Sequence, residues 1–100
     1  MYDGSDDILV NPILIVEVSS ASTLDYDRGV KFERYKEIPS LRYYLVIRLD
    51  SICVEHYAWR PDGSWSLREH RGEASRIQLL SIGCELHLGS VYEGVMDEAG

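Results

Sequence analysis

The sequence predicts an α+β (α/β) fold in which a mixed sheet is flanked by a helix. Three observations carry this expectation. An apolar strand run over 13–18 leads directly into a helix start and a helical stretch, and a second apolar strand run follows over 41–48. A turn-rich pentapeptide at 60–64 then separates two further strand patterns. Hydrophobic residues fill 45% of the 100 positions and only three are proline, which fits a folded chain rather than a disordered one.

Residues 1–11 are polar, with Gly4, Ser5 and the Asp6-Asp7 pair, and read as an acidic loop between elements. Asn11-Pro12 opens the first strand. Its apolar residues run on continuously instead of alternating, the pattern of a central strand covered on both faces. Glu17 interrupts the run, and the two-residue period of a strand puts it on the face of Ile13 and Ile15. Residues 19–23 form a small-residue turn ending in helix-start chemistry. Ser22 or Thr23 is expected to cap the free amides, with Asp25 and Asp27 placed favourably in the first turn. The helix is expected to reach about Ile38, where Pro39 stops it. Phe32, Tyr35 and Ile38 form its apolar stripe, and Lys31 borders that stripe, so its spacing aims it back at the sheet. Asp27, Lys31 and Tyr35 line up along one side.

Residues 41–48 read as a second buried strand, and strand, helix and strand with short links make a right-handed parallel crossover. Residues 52–59 and 65–70 flank Arg60-Pro61-Asp62-Gly63-Ser64, a hairpin turn. Trp59 and Trp65 are symmetric about Asp62 and read as cross-strand packing rather than as a stacking platform for bases. Residues 76–80 and 84–88 look like short closing strands, 88–95 like a last helical turn, and 96–100 like a frayed tail. The domain is therefore expected over 12–95.

Asp and Glu number 17 against 10 Lys and Arg, a net charge of −7. Such a surface repels phosphate backbones unless its few cations gather on one face. It does not exclude a nuclease, because clustered carboxylates are what metal-dependent phosphodiester cleavage requires. No apolar run is long enough to span a bilayer, and 1–10 hold three aspartates and no Lys or Arg, unlike a signal or transit peptide. A soluble cytoplasmic protein without a membrane partner is the expectation. Cys53 and Cys84 read as separate buried thiols. Together with His56, His70 and His87 they lack the close ligand pairs of a zinc module.

Glu17 carries the strongest chemical signal. A carboxylate inside an apolar strand is costly to desolvate unless something pairs with it, and Lys31 on the following helix is the candidate. Spacing alone leaves two readings open. One is a buried ion pair that sets packing. The other is half of a metal site, in which Glu17 binds a divalent cation and Lys31 orients the attacking water or steadies phosphoryl charge.

The stretch from Asn11 to Thr23, Asn-Pro-Ile-Leu-Ile-Val-Glu-Val-Ser-Ser-Ala-Ser-Thr, resembles the signature of the Uma-two family of endonucleases. So do Tyr26-Asp27-Arg28-Gly29, Lys31-Phe32, Tyr35, Ile38-Pro39-Ser40-Leu41, Tyr43-Tyr44-Leu45-Val46, Pro61-Asp62-Gly63-Ser64-Trp65 and Ser81-Ile82-Gly83-Cys84. That family belongs to the PD-(D/E)XK, or restriction-endonuclease-like, superfamily. The resemblance implies a mixed sheet with flanking helices and phosphodiester chemistry on DNA that depends on Mg²⁺ or Mn²⁺. It makes Glu17 the acidic residue of the (D/E)XK element and Lys31 the catalytic lysine, since the superfamily's usual lysine position falls on Ser19. It makes the backbone carbonyl of Val18 a further metal contact beside Glu17, and gives Asp27 a supporting place at the helix start. Ala21 stands where the family usually has proline, and the usual leucine after Val18 is absent.

Family members are nearly twice this long. They carry a helix and strands ahead of the Glu17 strand, including one with the first metal-binding aspartate. Against them 1–10 correspond to a loop, and Asp6 and Asp7 match loop positions. The resemblance therefore implies a chain without the N-terminal helix and strands, holding one carboxylate and the lysine of a two-carboxylate site, and inactive by itself. The alternative is a non-catalytic module that keeps the fold core and self-associates. A strand as apolar as 13–18 should not be a bare sheet edge, so a homodimer or higher assembly through that edge is expected.

Overall fold

The computed structural model describes residues 11–99, with side chains as far as Val95. The acidic loop expected over 1–10, with Asp6 and Asp7, lies outside the described residues. Strand β1 (Leu14–Ser19) pairs in parallel with β2 (Tyr43–Arg48), and the segment between them carries the first helix, over 24–35. Strands β3 (Cys53–Trp59) and β4 (Trp65–Arg71) continue the sheet antiparallel, giving the order β1-β2-β3-β4. This is the mixed α+β architecture that the sequence predicts.

The β3–β4 turn follows its residues closely. Asp62 accepts hydrogen bonds from the backbone N–H and hydroxyl of Ser64 (2.9 and 2.6 Å), while Gly63 takes φ = 90°, where a side chain would be strained. Trp59 and Trp65 are directly opposite in register, as their symmetry about Asp62 predicts. Trp65 meets Phe32 edge-on, with centroids 5.3 Å apart, and Trp59 carries the Arg42 guanidinium 4.2 Å above its ring. Both are packing residues.

Several elements differ from the sequence expectation. Strand β1 lies at the sheet edge, and among the described residues nothing pairs with its outer side. Val16 and Val18 are 44% and 48% exposed, whereas β2 is the strand covered on both faces, buried throughout Tyr43–Ile47. A continuous apolar run thus marks both strands, and only layer order separates them. Strands β5 (Arg76–Leu79) and β6 (Cys84–His87) do not close this sheet but form their own antiparallel pair. Their pattern explains why: Ile77 and Leu79 are buried while Arg76 and Gln78 are exposed, so the pair has one apolar face to lay against the main sheet. The C-terminal helix runs over Leu88–Ala99, about three turns rather than one. No side chain caps the first helix; Thr23 instead turns its hydroxyl back toward Ser19 (3.2 Å) and the Ser20 carbonyl (3.4 Å). The helix ends at Tyr35, and tighter turns carry the chain on to Ile38.

The sheet divides the core in two. One face packs Tyr43, Leu45, Ile47 and Val54 against Ile77, Leu79, Leu88 and Tyr92 from the second sheet and C-terminal helix. The other packs Tyr44, Val46 and Tyr57 under Leu24 and Phe32 of the first helix. Phe32 is the centre of that second cluster, stacked on Tyr44 at 5.2 Å and touching Tyr57 at 4.4 Å.

Candidate functional site

Glu17 lies on the β1 face that looks toward the first helix. Lys31 reaches down from the helix, with Nζ 3.1 Å from Glu17 Oε1 and 3.3 Å from Asp27 Oδ1. The periodicity argument that aims Lys31 at the sheet therefore holds in space. Tyr35, one turn further on, donates its hydroxyl to Glu17 Oε2 at 2.7 Å. Each carboxylate oxygen of Glu17 thus has one donor. Because β1 is an edge strand, the pair is half-buried rather than deeply enclosed, with the two side chains 19% and 20% exposed.

The helix reaches this arrangement through an unusual backbone. A π-helical turn, Asp27–Lys31, sits between α-helical Leu24–Tyr26 and Phe32–Tyr35. Such widened turns cluster at functional sites. The Asp27 carbonyl receives the Tyr44 hydroxyl at 2.7 Å, which ties the widened turn to the centre of the sheet. Burial opposes the charge on Lys31, but the hydrogen bonds to Glu17 and Asp27, and the charges of both, outweigh it and raise its pKa. Lys31 is therefore an ammonium at neutral pH and acts as a donor and a positive charge, not as a base. Burial, with the hydrogen bond to Glu17, pushes the Tyr35 phenol up to about 12, so it too stays a donor.

A second acid lies on this face and does not figure among the sequence-predicted site residues. Glu55 on β3 is 1% exposed and shares a lateral row with Glu17, because Glu17 pairs with Val46 and Val46 with Glu55. Arg28 grips it with Nε 2.9 Å from both carboxylate oxygens and a further contact from a terminal guanidinium nitrogen. That hydrogen bonding outweighs burial and raises the Arg28 pKa above its already high value. The signal that marks Glu17 was present here too: Glu55 is the one charge among Cys53, Tyr57 and Trp59 on its strand face. Glu17 and Glu55 stand two strand spacings apart along this row, about 10 Å between backbones, and each carboxylate is held by its own cation, Lys31 and Arg28. Arg28–Glu55 is thus a structural latch beside the Glu17–Lys31 pair.

Val18 points its side chain to the opposite face, but its backbone matters. The Ile13 and Ser19 carbonyls accept hydrogen bonds from the β2 side, from Tyr43 and Leu49. The alternation of a parallel ladder then turns the Val18 carbonyl to the outer edge, beside Glu17. Among the described residues no three His, Cys, Asp or Glu gather around one point. Cys53 and Cys84 are free thiols, and of the histidines only His56 and His70 approach each other.

Fold and site together define an α+β domain with an acid–lysine pair at the edge of a mixed sheet. The chain belongs to the Uma2 family, described as "Putative restriction endonuclease", whose sequence model matches residues 3–89. It is also similar to two proteins of Synechocystis sp. (strain PCC 6803). One is the uncharacterized protein slr1290, 35% identical over 91 residues, which covers 91% of this chain and 47% of that one. The other is the uncharacterized protein sll1609, 42% identical over 78 residues, covering 76% of this chain and 43% of that one. The chain thus spans about half the length of the curated relatives it matches. Among the described residues no helix is long and apolar enough to cross a membrane.

Proposed function

We propose that Glu17 and Lys31 belong to the active site of a metal-dependent DNA endonuclease. The observation that carries this reading is the lysine's contact with Glu17 (3.1 Å) beside an outward-facing Val18 carbonyl, within a chain of the Uma2 family. The donor chemistry fits a hard divalent cation, Mg²⁺ or Mn²⁺, which takes oxygen ligands and leaves room for water and phosphate. Glu17 and the Val18 carbonyl would hold it, and when bound it would neutralise charge on the scissile phosphate and activate water. Lys31, fixed as an ammonium, would hydrogen-bond the attacking water or a phosphate oxygen. Tyr35 would act as a positioning residue that holds the Glu17 carboxylate in one rotamer, and Asp27 would hold Lys31.

Nicking of supercoiled plasmid with Mg²⁺ or Mn²⁺ tests this reading in two proteins, this chain and a form extended to the length of its relatives. The extended form is expected to nick. Glu17→Gln and Lys31→Ala should each lower its rate at least 100-fold, the scale on which a single transition-state donor acts. This chain by itself should be silent, since of the two carboxylates that meet at Lys31 among the described residues only Glu17 stands on the β1 edge, Asp27 being buried on the helix. Nicking that survives both substitutions removes the site assignment.

The exposed β1 edge favours a second reading, a non-catalytic module that self-associates. Ile13, Val16 and Val18 are all more than two-fifths exposed beside an apolar cavity of about 220 Å³ lined by Leu14, Val16, Leu45 and Ile47, among others. Pairing of two such edges would cover them. Sedimentation velocity of this chain is expected to show a dimer or larger species. A monomer that also melts sharply and cooperatively would overturn that expectation, and absence of nicking in both forms would favour the module over the enzyme.

A further inference from the structure

On the sheet face opposite Glu17, β3 and β4 meet β5 around a cavity of about 300 Å³. His56, Ser66, Arg68, His70, Arg76 and Gln78 supply its polar lining, and no carboxylate is among the lining residues. In a chain of net charge −7 such a lining is unexpected. Arg68 and Arg76 form no ion pair among the described residues, whereas six other basic side chains do. Glu85, the neighbouring acid on β6, lies outside the lining. It is engaged by the Gln78 amide at 2.8 Å and by His87 at 3.4 Å.

The two histidines form one wall of the cavity. His56 Nδ1 lies 3.3 Å from His70 Nε2, one proton being shared between them. When His70 donates, neutral His56 carries its own proton on Nε2, and that buried nitrogen has no hydrogen-bond partner among the described residues. That nitrogen is sealed from solvent, so His56 contributes wall to the cavity rather than a donor to its contents. Burial first, then the charges of His70 and Arg68, push the His56 pKa down to about 4, so the imidazole is neutral at pH 7.

We propose that this cavity is a phosphomonoester-binding site, with Arg68 and Arg76 as the clamp and the neutral imidazoles of His56 and His70 as its wall. Two guanidiniums from separate sheets match a dianion better than a single carboxylate, and guanidinium groups suit phosphate oxygens bidentately. A phosphodiester within a duplex carries one charge and lies along a surface, whereas a concave site admits a terminal phosphate end-on. Ala58 and the exposed Leu80 add apolar wall for the organic group attached to it. The cavity lies across the sheet from Glu17, so the proposal does not rest on the endonuclease reading.

The test follows the His56 and His70 imidazole signals by NMR at constant ionic strength. The probes are adenosine monophosphate, a 5′-phosphorylated oligonucleotide, the same oligonucleotide with a 5′-hydroxyl, and sodium chloride. Saturable shifts are expected with a phosphomonoester and not with chloride or the 5′-hydroxyl form. Response to the nucleotide alone identifies a free small phosphate as the ligand, and response to the phosphorylated oligonucleotide identifies a DNA end. Arg68→Gln and Arg76→Gln should each weaken binding about tenfold or more, the scale of a charge-assisted hydrogen bond. Both side chains are exposed, so neither substitution should disturb folding. Shifts that chloride reproduces, that both substitutions leave unchanged, or that no phosphomonoester produces would overturn the proposal.

Discussion

Arg28→Ala is expected to destabilise the fold by about 3–5 kcal/mol, the cost of leaving a buried charge without its partner. The reason is the asymmetry of the pair. Arg28 is 36% exposed and could return to water, but Glu55 is 1% exposed and has no such route. Its other contact, the Tyr57 hydroxyl at 3.4 Å, is too long to replace a bidentate guanidinium. Chemical denaturation of the variant should show the loss as a lower midpoint with an unchanged slope. The double replacement Arg28→Met with Glu55→Leu should recover most of it, because apolar side chains of similar size fill the site without unpaired charge. A variant Arg28→Ala within about 1 kcal/mol of the parent would mean that water reaches Glu55, and the latch would lose its role.

Phe32→Ala is expected to have a comparable effect, about 3–5 kcal/mol, for a different physical reason. Phe32 is 7% exposed and, among the described residues, is the only helix residue whose ring meets three aromatic rings of the sheet, those of Tyr44, Tyr57 and Trp65. Removing it opens a cavity under the helix that those rigid rings cannot collapse into. The substitution also reaches the site, since Phe32 directly follows Lys31. Loss of stability should be accompanied by greater mobility of the Lys31 ammonium, visible as faster exchange of its protons by NMR. A stability loss under about 1 kcal/mol would show that other contacts hold the helix down.

Much of the fold was legible because it is written locally. The β1–helix–β2 unit follows from periodicity and a short link, and the β3–β4 hairpin from Pro61-Asp62-Gly63 and its flanking tryptophans. The Glu17–Lys31 contact was also legible, since two periods, of strand and helix, fix which way each side chain faces. Layer order was not. The same apolar run describes β1 at the edge and β2 in the middle, because what covers a strand lies elsewhere in the chain. The β5–β6 pair shows a clean alternation of buried and exposed residues, yet nothing local says which sheet it joins. Arg28–Glu55 joins residues 27 positions apart, and no period relates them. Tyr35 reads as part of the apolar stripe and packs, partly buried, against the core, but its hydroxyl also holds Glu17, a double role that a stripe pattern cannot reveal.

The π-helical turn has a consequence for how this helix counts. In an ordinary α-helix, residues four apart overshoot one turn by about 40°, so Asp27, Lys31 and Tyr35 would wind progressively away from a fixed point. A wider turn undershoots instead. Combining the two kinds of turn in sequence cancels the drift, in the manner of a vernier, and keeps the three side chains aimed along one line. Lys31 can then lie against Asp27 and Glu17 at once, while Tyr35 reaches the same Glu17 from one turn below. The phase of the helix, more than its stability, is what this stretch encodes. A change of residue within 27–31 alters one contact, but a change of length there would rotate everything that follows.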